Sequence, residues 1–414
     1  MKRAPLYALY AADTISLSGN AVAQVAIPWF VLTTTGSATL TGLAVFFNFL
    51  PIVIAAFFGG VVVDRLGFRS ASVVADLASA AAVAAIPLLY ATVGLALWEL
   101  MVLVFLGALL DAPGATARAA LFPDVVELGG VAMERASGIR AGIQQGSQLL
   151  GAPLGGVLVA VFGATEALWI DAVSFLVSAA LVAFFIPRSR TDAETQERDR
   201  FRAELVEGLR FIRDRRLVRA LVLMVLVTNL IEAPGSVVLT VFAREVYDSA
   251  ASLGLMLGVL GGTALGGALV YSAIGHRLPR RRTFLYCFAV VPVGYLALAT
   301  LPSLPVALAA LAVAGLASGP INPLLFTVQT EIVPAQLRGR VFGAVRAGAW
   351  AAIPLGILLG SVVVAAVGVA ATFLAMGVLL AAAVGYGFFN PAFREMDRSP
   401  RMTPEPEPGR ASSG

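Results

Sequence analysis

Glu232 is a carboxyl set deep in apolar sequence. It stands about sixteen residues into a run that begins near position 217, some 24 Å along a helix axis. No basic residue shares the stretch from Ala220 to Ala243. Ionisable groups at such depth face a cavity, a partner helix or a proton relay. Two readings therefore stand for Glu232, a proton carrier or a structural glutamate bonded to a neighbouring helix. Asp111 and Asp13 lie nearer the ends of their apolar runs. Each is a second proton site or an interfacial ion pair, with the ion pair favoured for Asp13. Asp76 and Asp171 read as structural groups near run ends. Neutral polar residues are Asn20, Gln24, Asn48, Gln144, Gln145, Gln148, Asn229 and Asn322. They suit hydrogen bonds to a solute, and bonds between helices explain each as well. Phe46, Phe47, Phe49, Phe57 and Phe58 crowd one run, as wall for a lipophilic solute or as packing.

Other chemistry is excluded on supply. Cys287 is the single cysteine and His276, outside the expected spans, the single histidine, so an internal disulfide is impossible and neither a His-based zinc site nor a Ser/His/Asp triad is expected within the membrane. The one lysine is Lys2, which removes any Walker A phosphate loop. No metal, no cofactor, no nucleic-acid partner and no enzymatic reaction are expected. Energy must come from an ion gradient, the solute's own gradient or a separate partner.

The elements that position these residues are membrane spans. The chain has 414 residues, 59% hydrophobic and 13% charged, where soluble proteins are about 25% charged. A crossing needs roughly 20 apolar residues. Stretches of that kind fall at 7–32, 40–62, 71–93, 95–117, 139–162, 165–187, 217–242, 251–273, 283–301, 304–329, 341–366 and 369–390. The first is read as a helix that stays in the protein, since Asp13 interrupts what resembles a leader and the run continues to full length. With this register all 29 lysines and arginines except Arg244 fall on one side, Arg118 at the end of span four included. The positive-inside rule then puts both termini in the cytoplasm.

The polar stretch 188–216 divides the spans six and six, giving an N-terminal bundle 1–187, a central cytoplasmic loop, a C-terminal bundle 217–390 and a cytoplasmic tail 391–414. Positions 203–213 suit an amphipathic helix on the membrane face. The halves echo each other: IRAG at 139–142 precedes a span ending at Gly163, and VRAG at 345–348 precedes one ending at Gly368. Parallel repeats of this sort place a solute site between halves near the midplane.

The loop after span two reads Gly60, Asp64, Arg65, Gly67, Phe68 and Arg69 in the pattern G-x-x-x-D-R-x-G-F-R. It resembles the loop signature of the major facilitator superfamily, with Phe68 where a cation is common. That resemblance implies an all-α transmembrane fold of twelve helices in two six-helix bundles. It also implies that spans one, four, seven and ten line the cavity, and that Gly60, Asp64, Arg65, Gly67 and Arg69 form a conformational switch. Arg118 is expected to join that switch by pairing with Asp64 or Asp111. Gly142, Gly146, Gly151, Pro153, Gly155 and Gly156 in span five resemble the packing motif of the antiporters, although small-residue faces also serve ordinary tight packing. Longer stretches, GALLDAPGATARAALFPDVV at 107–126 and QTEIVPAQLRGRVFGAV at 329–345, look like the macrolide-efflux and enterobactin-efflux exporters. No arginine lies deep in span four, where many drug/proton antiporters have one.

The expectation is a monomeric secondary transporter of a bacterial inner membrane. It would export a hydrophobic or amphipathic drug, siderophore or secondary metabolite by proton antiport, with the solute, protons and membrane lipid as partners. An importer or facilitator on the same fold, and a non-transporting membrane sensor, remain the alternatives.

Overall fold

A backbone in lipid has no water to bond, so its amides must be satisfied within the segment, and the helix does this. The computed structural model describes residues 3–187, 210–334 and 337–397 as helices joined by short turns, without strands; the side chains of 55–65, 339, 346 and 347 lie outside that description. Spans one to six are α1 (Ala4–Thr35), α2 (Ala38–Leu66), α3 (Phe68–Thr92), α4 (Leu97–Gly129), α5 (Met133–Phe162) and α6 (Ala164–Phe185). Span seven is α7 (Arg216–Glu232) and α8 (Gly235–Phe242), continued by a π turn, Ala243–Tyr247. Then come α9 (Ala250–Ile274), α10 (Arg280–Leu298), α11 (Leu304–Ser318) and α12 (Ile321–Ile332), the last two forming span ten. Spans eleven and twelve run together as α13 (Arg338–Phe389), with a corner at Gly368, whose φ is 80°.

All twelve expected crossings are present, with three differences in shape. Span four does not stop near 117 but continues to Gly129. Spans seven and ten are broken, at Pro234 and Pro320. Proline lacks the N–H that would bond one turn back, so each helix restarts there. The short uncharged hairpin between spans one and two turns at Gly36, whose φ is 65°. Between spans two and three the turn is made by Gly67, with φ 76°, a conformation that favours glycine.

The expected amphipathic helix over 203–213 falls mostly outside the described residues; positions 210–214 are helical. At the other end, apolar packing continues past 390. A 3-10 helix, Pro391–Asp397, folds back on the C-terminal half, and Phe393 is fully buried with its ring 6.0 Å from that of Phe284.

The core is distributed unevenly along the bundle. At the end away from the chain termini, one apolar cluster takes Val25 and Phe30 of α1, Phe175 of α6, Phe242 of α8, Leu253 of α9 and Phe373 of α13, so both halves share it. Toward the end carrying the termini, the clusters keep to one half. Leu9, Leu121 and Ile186 pack together in the first, and Leu221, Phe284 and Phe393 in the second. The halves are joined at the far end by α5 against α9 and by α2 against α13. Where α5 crosses α9, a methyl on Gly156 would lie 2.6 Å from the Ala250 carbonyl oxygen and 2.7 Å from Gly254 Cα. Backbones that close leave room only for hydrogen as a side chain.

Candidate functional site: two recesses between the halves

Halves packed at one end and parted toward the other leave space between them. The larger recess is about 710 Å³ and is walled by α5, α7, α9 and span ten. Gln148, Asn229, Glu232 and Asn322 line it, with Gln145 and Thr228 beside them. Leu149, Leu265, Phe288 and Phe326 supply apolar wall. The smaller, about 500 Å³, lies on the N-terminal half and is lined by Asn20, Gln24, Asn48, Asp111, Gln144 and Asp171, with Phe175 and Trp350. The eight neutral polar residues singled out in the sequence are thus divided between two recesses, four in each. Gln144 and Gln145 are adjacent in α5 yet line different recesses, so α5 stands at their border.

Glu232 occupies the last turn of α7, where Pro234 ends the run. It also borders a third space of about 120 Å³, lined by Tyr295, Leu239, Leu260 and Leu311. Among the described residues no cation forms an ion pair with Glu232. The side chain is half-buried and faces both spaces.

Asp111 is placed differently, in a charge network centred on Arg118. The Arg118 guanidinium is 2% exposed. Its Nε donates to Asp13 Oδ1 at 3.0 Å and its Nη1 to Asp76 Oδ1 at 2.7 Å. Asp111 Oδ1 lies 3.9 Å from Nη2, too far for a hydrogen bond, and is buried without one. The other oxygen of Asp111 accepts from Asn20 Nδ2 at 3.0 Å. Arg140 of α5 donates to Asp13 Oδ2 at 3.1 Å, and Ser178 of α6 donates to Asp76 Oδ2 at 2.7 Å. Spans one, three, four, five and six are thereby held by one set of charge-assisted bonds.

This corrects the reading of Arg118 as a residue at the surface end of span four. The helix runs eleven residues past it, from 118 to Gly129, about 16 Å of further axis. A buried arginine therefore does stand within span four, and its close partners are Asp13 and Asp76. Asp76, read as a structural group near a run end, is fully buried in that network. Asp171, 1% exposed, lines the smaller recess, where Ser174 Oγ lies 3.5 Å from its Oδ1.

Of the switch loop, Gly60, Asp64 and Arg65 have side chains outside the described residues. Arg69 Nη2 donates to the Ala183 carbonyl of α6. In span five four of the six expected small or bent positions are used in packing. Gly151 and Gly155 meet α1 at Ala21 and Val22, Gly156 meets α9, and Pro153 packs on Gly258. Gly142 and Gly146 face open space, with nothing within 4 Å of an added methyl. Phe46 and Phe47 pack on each other and on the core, ring centroids 5.5 Å apart.

Sequence reasoning missed Asp76, Trp350 and Tyr295 as wall or network residues. For Asp76 a sign was present. It is in phase with Ser72, Ala75, Ser79 and Val83, all buried on one face of α3.

Known proteins bear on this arrangement. The profile of the Major Facilitator Superfamily matches residues 9–269 and 235–413. Over 404 residues the chain is 32% identical to the multidrug efflux pump Tap of Mycobacterium tuberculosis, with 96% of each covered. It is 23% identical to macrolide efflux protein A of Streptococcus pyogenes over 390 residues, covering 90% of this chain and 93% of that one. Among solved structures, the nucleoside transporter NupG superposes with a TM-score of 0.74 at 12% identity, over 94% of this chain and 100% of that one. A bacterial homologue of the lysosomal transporter Spinster, inward-facing and unoccupied, gives 0.71 at 16% identity over 95% and 98%. At those identities the structural likeness concerns the fold alone. Twelve helical crossings in two bundles and the profile match over nearly the whole length place this multi-pass membrane protein in the Major Facilitator Superfamily.

Proposed function

We propose that this chain is a secondary transporter that exports a hydrophobic or amphipathic small molecule from a bacterial cell in exchange for protons, without chemistry on its cargo. The similarity to Tap supports export, and the arginine distribution supports cytoplasmic termini. On that orientation both recesses open to the cytoplasm, where an exporter collects its cargo. Their mixed wall of amides, carboxyls and large apolar side chains suits an amphipath.

The single observation carrying the proton step is Glu232, a carboxyl in the wall of the larger recess without a cation paired to it among the described residues. Such a group changes charge by taking or losing a proton, and so biases the equilibrium between two global states. Asp111, half-engaged by Asn20 and Arg118, is the second candidate. Asp13 belongs to the ion-pair network instead. The loop from Gly60 to Arg69 and the Arg118 network serve conformational switching in this reading, and Gly151, Pro153, Gly155 and Gly156 the packing of span five.

Inside-out vesicles loaded with an acidic interior test the proposal, with uptake of fluorescent amphipaths as the readout. Uptake is expected to follow the imposed gradient and to collapse with a protonophore. Glu232→Gln should abolish gradient-driven uptake while leaving downhill exchange. Full pH-driven uptake by that variant would remove Glu232 from the coupling role, and uptake only in right-side-out vesicles would make the protein an importer.

A further inference from the structure

Away from the central recesses, the C-terminal half carries a cleft of about 250 Å³ between the start of α7 and the end of α13. Arg216, Arg219, Leu223, Tyr386, Asn390 and Glu395 stand in its wall, and the 3-10 helix Pro391–Asp397 closes its top. The two helices are packed firmly beneath it, for a methyl on Gly387 would lie 3.5 Å from Met224 Sδ.

The cleft is polar above and apolar below. Arg216 and Arg219 are exposed and share one face of α7, three residues apart. Arg219 Nη1 donates to the Arg213 carbonyl at 2.6 Å, which fixes its guanidinium and leaves its other N–H groups available. Arg216 has no hydrogen bond or ion pair among the described residues. Asn390 Nδ2 donates to Tyr386 Oη at 3.0 Å, so the phenol is left to donate outward. The same α7 face continues through Leu223 and Val227, 49% and 38% exposed, and α13 presents Leu379, 55% exposed, seven residues before Tyr386. Two cations of the same half are engaged elsewhere, while Arg394 stands exposed on the 3-10 helix beside Glu395. Arg280 pairs with Glu331, and Arg281 donates to the Phe388 carbonyl at 3.1 Å.

We propose that this cleft binds the head group of an anionic phospholipid. The phosphodiester sits between Arg216 and Arg219, with the Tyr386 hydroxyl donating to it and the acyl chains lying along Leu223, Val227 and Leu379. Guanidinium groups match phosphate oxygens in charge and geometry. Basic pockets between membrane helices take acidic head groups for this reason. Two arginines against the Glu395 carboxylate leave one net positive charge, which matches a monoanionic diester. The apolar stripes below the cations favour a lipid over a free phosphate. The proposal is independent of cargo, of transport direction and of which face is cytoplasmic.

Native mass spectrometry of the purified full-length protein titrated with phosphatidylglycerol or phosphatidylcholine tests it. The wild type should take up one phosphatidylglycerol about tenfold more tightly than phosphatidylcholine. Arg216→Ala with Arg219→Ala should bring the two lipids level, with unchanged melting in phosphatidylcholine micelles. Glu395→Gln should tighten phosphatidylglycerol binding, an effect of opposite sign that damaged folding does not produce. A wild type without preference, or a double variant that keeps it, overturns the proposal. Displacement of phosphatidylglycerol by equimolar glycerol 3-phosphate would show a free-anion site and overturn the lipid assignment.

Discussion

Arg118 is the residue on which the N-terminal half turns. Two buried carboxylates hold it directly, and a third, Asp111, stands at 3.9 Å on the border of the smaller recess. Removing one partner of a buried pair leaves the others uncompensated, at about 3–5 kcal/mol. Arg118→Ala should therefore unfold at markedly lower detergent or heat load, read by thermal denaturation of the purified protein. Arg118→Lys should restore little, because an ammonium cannot serve Asp13 and Asp76 in the fork geometry that a guanidinium provides. A melting curve for Arg118→Ala that overlays the wild type would mean the network is ornamental. Some of this site was legible in the sequence and some was not. Embedded acids and amides announce themselves, and Asp111, Asn20, Asn229, Glu232 and Asn322 do line recesses. The pairing of Arg118 with Asp76 was hidden by 42 residues of separation and by a span boundary drawn at the last apolar residue. Hydropathy ends a span where charge begins, but α4 carries a charge inward because partners wait for it there.

At the scale of elements, hydropathy marked the twelve crossings well, since lipid leaves a backbone few options. It was blind to how helices meet. The sequence offered six small or bent positions in span five as one packing face; the structure uses Gly151 and Gly155 on α1, Gly156 on α9 and Pro153 on Gly258, and leaves Gly142 and Gly146 open. Position along the helix explains the difference, because those two glycines share the phase of Pro153 and Gly156 but precede the crossing and border the parted region. Substitutions should divide accordingly. Gly156→Val forces α5 from α9 and costs about 1–3 kcal/mol of overpacking in this conformer alone. Spin labels across the far end should then show a broadened, longer distance, and transport should fall with expression intact. Gly142→Ala should transport like the wild type, and a loss there equal to that of Gly156→Val would remove the distinction. The breaks at Pro234 and Pro320 belong to the same scale, since they fall beside Glu232 and Asn322 and set the depth of those side chains.

For the whole molecule, the arginine distribution and the divided apolar clusters make a joint forecast. The recesses open toward the end that carries the termini, and the proposed orientation makes that end cytoplasmic. With Cys287→Ser as background and Gln145→Cys as probe, an impermeant maleimide should label inside-out vesicles and spare right-side-out ones. Labelling from the other side in the absence of cargo would reverse the assignment. The shared cluster at the far end also bears on what an idle copy does to its host. Phe30 and Phe175 of the N-terminal half are buried in it together with Phe242, Leu253 and Phe373 of the C-terminal half. Exposing about 200 Å² of such surface to water costs roughly 5 kcal/mol at 25 cal/mol per Å². An empty protein is thus kept shut toward the outside by its own oil, and only a passenger or a proton that binds the other state more strongly can lift that barrier. Under the proposed proton exchange, idle copies would then pass protons only as often as this seal opens, so a cell could carry many of them at little cost to its proton-motive force.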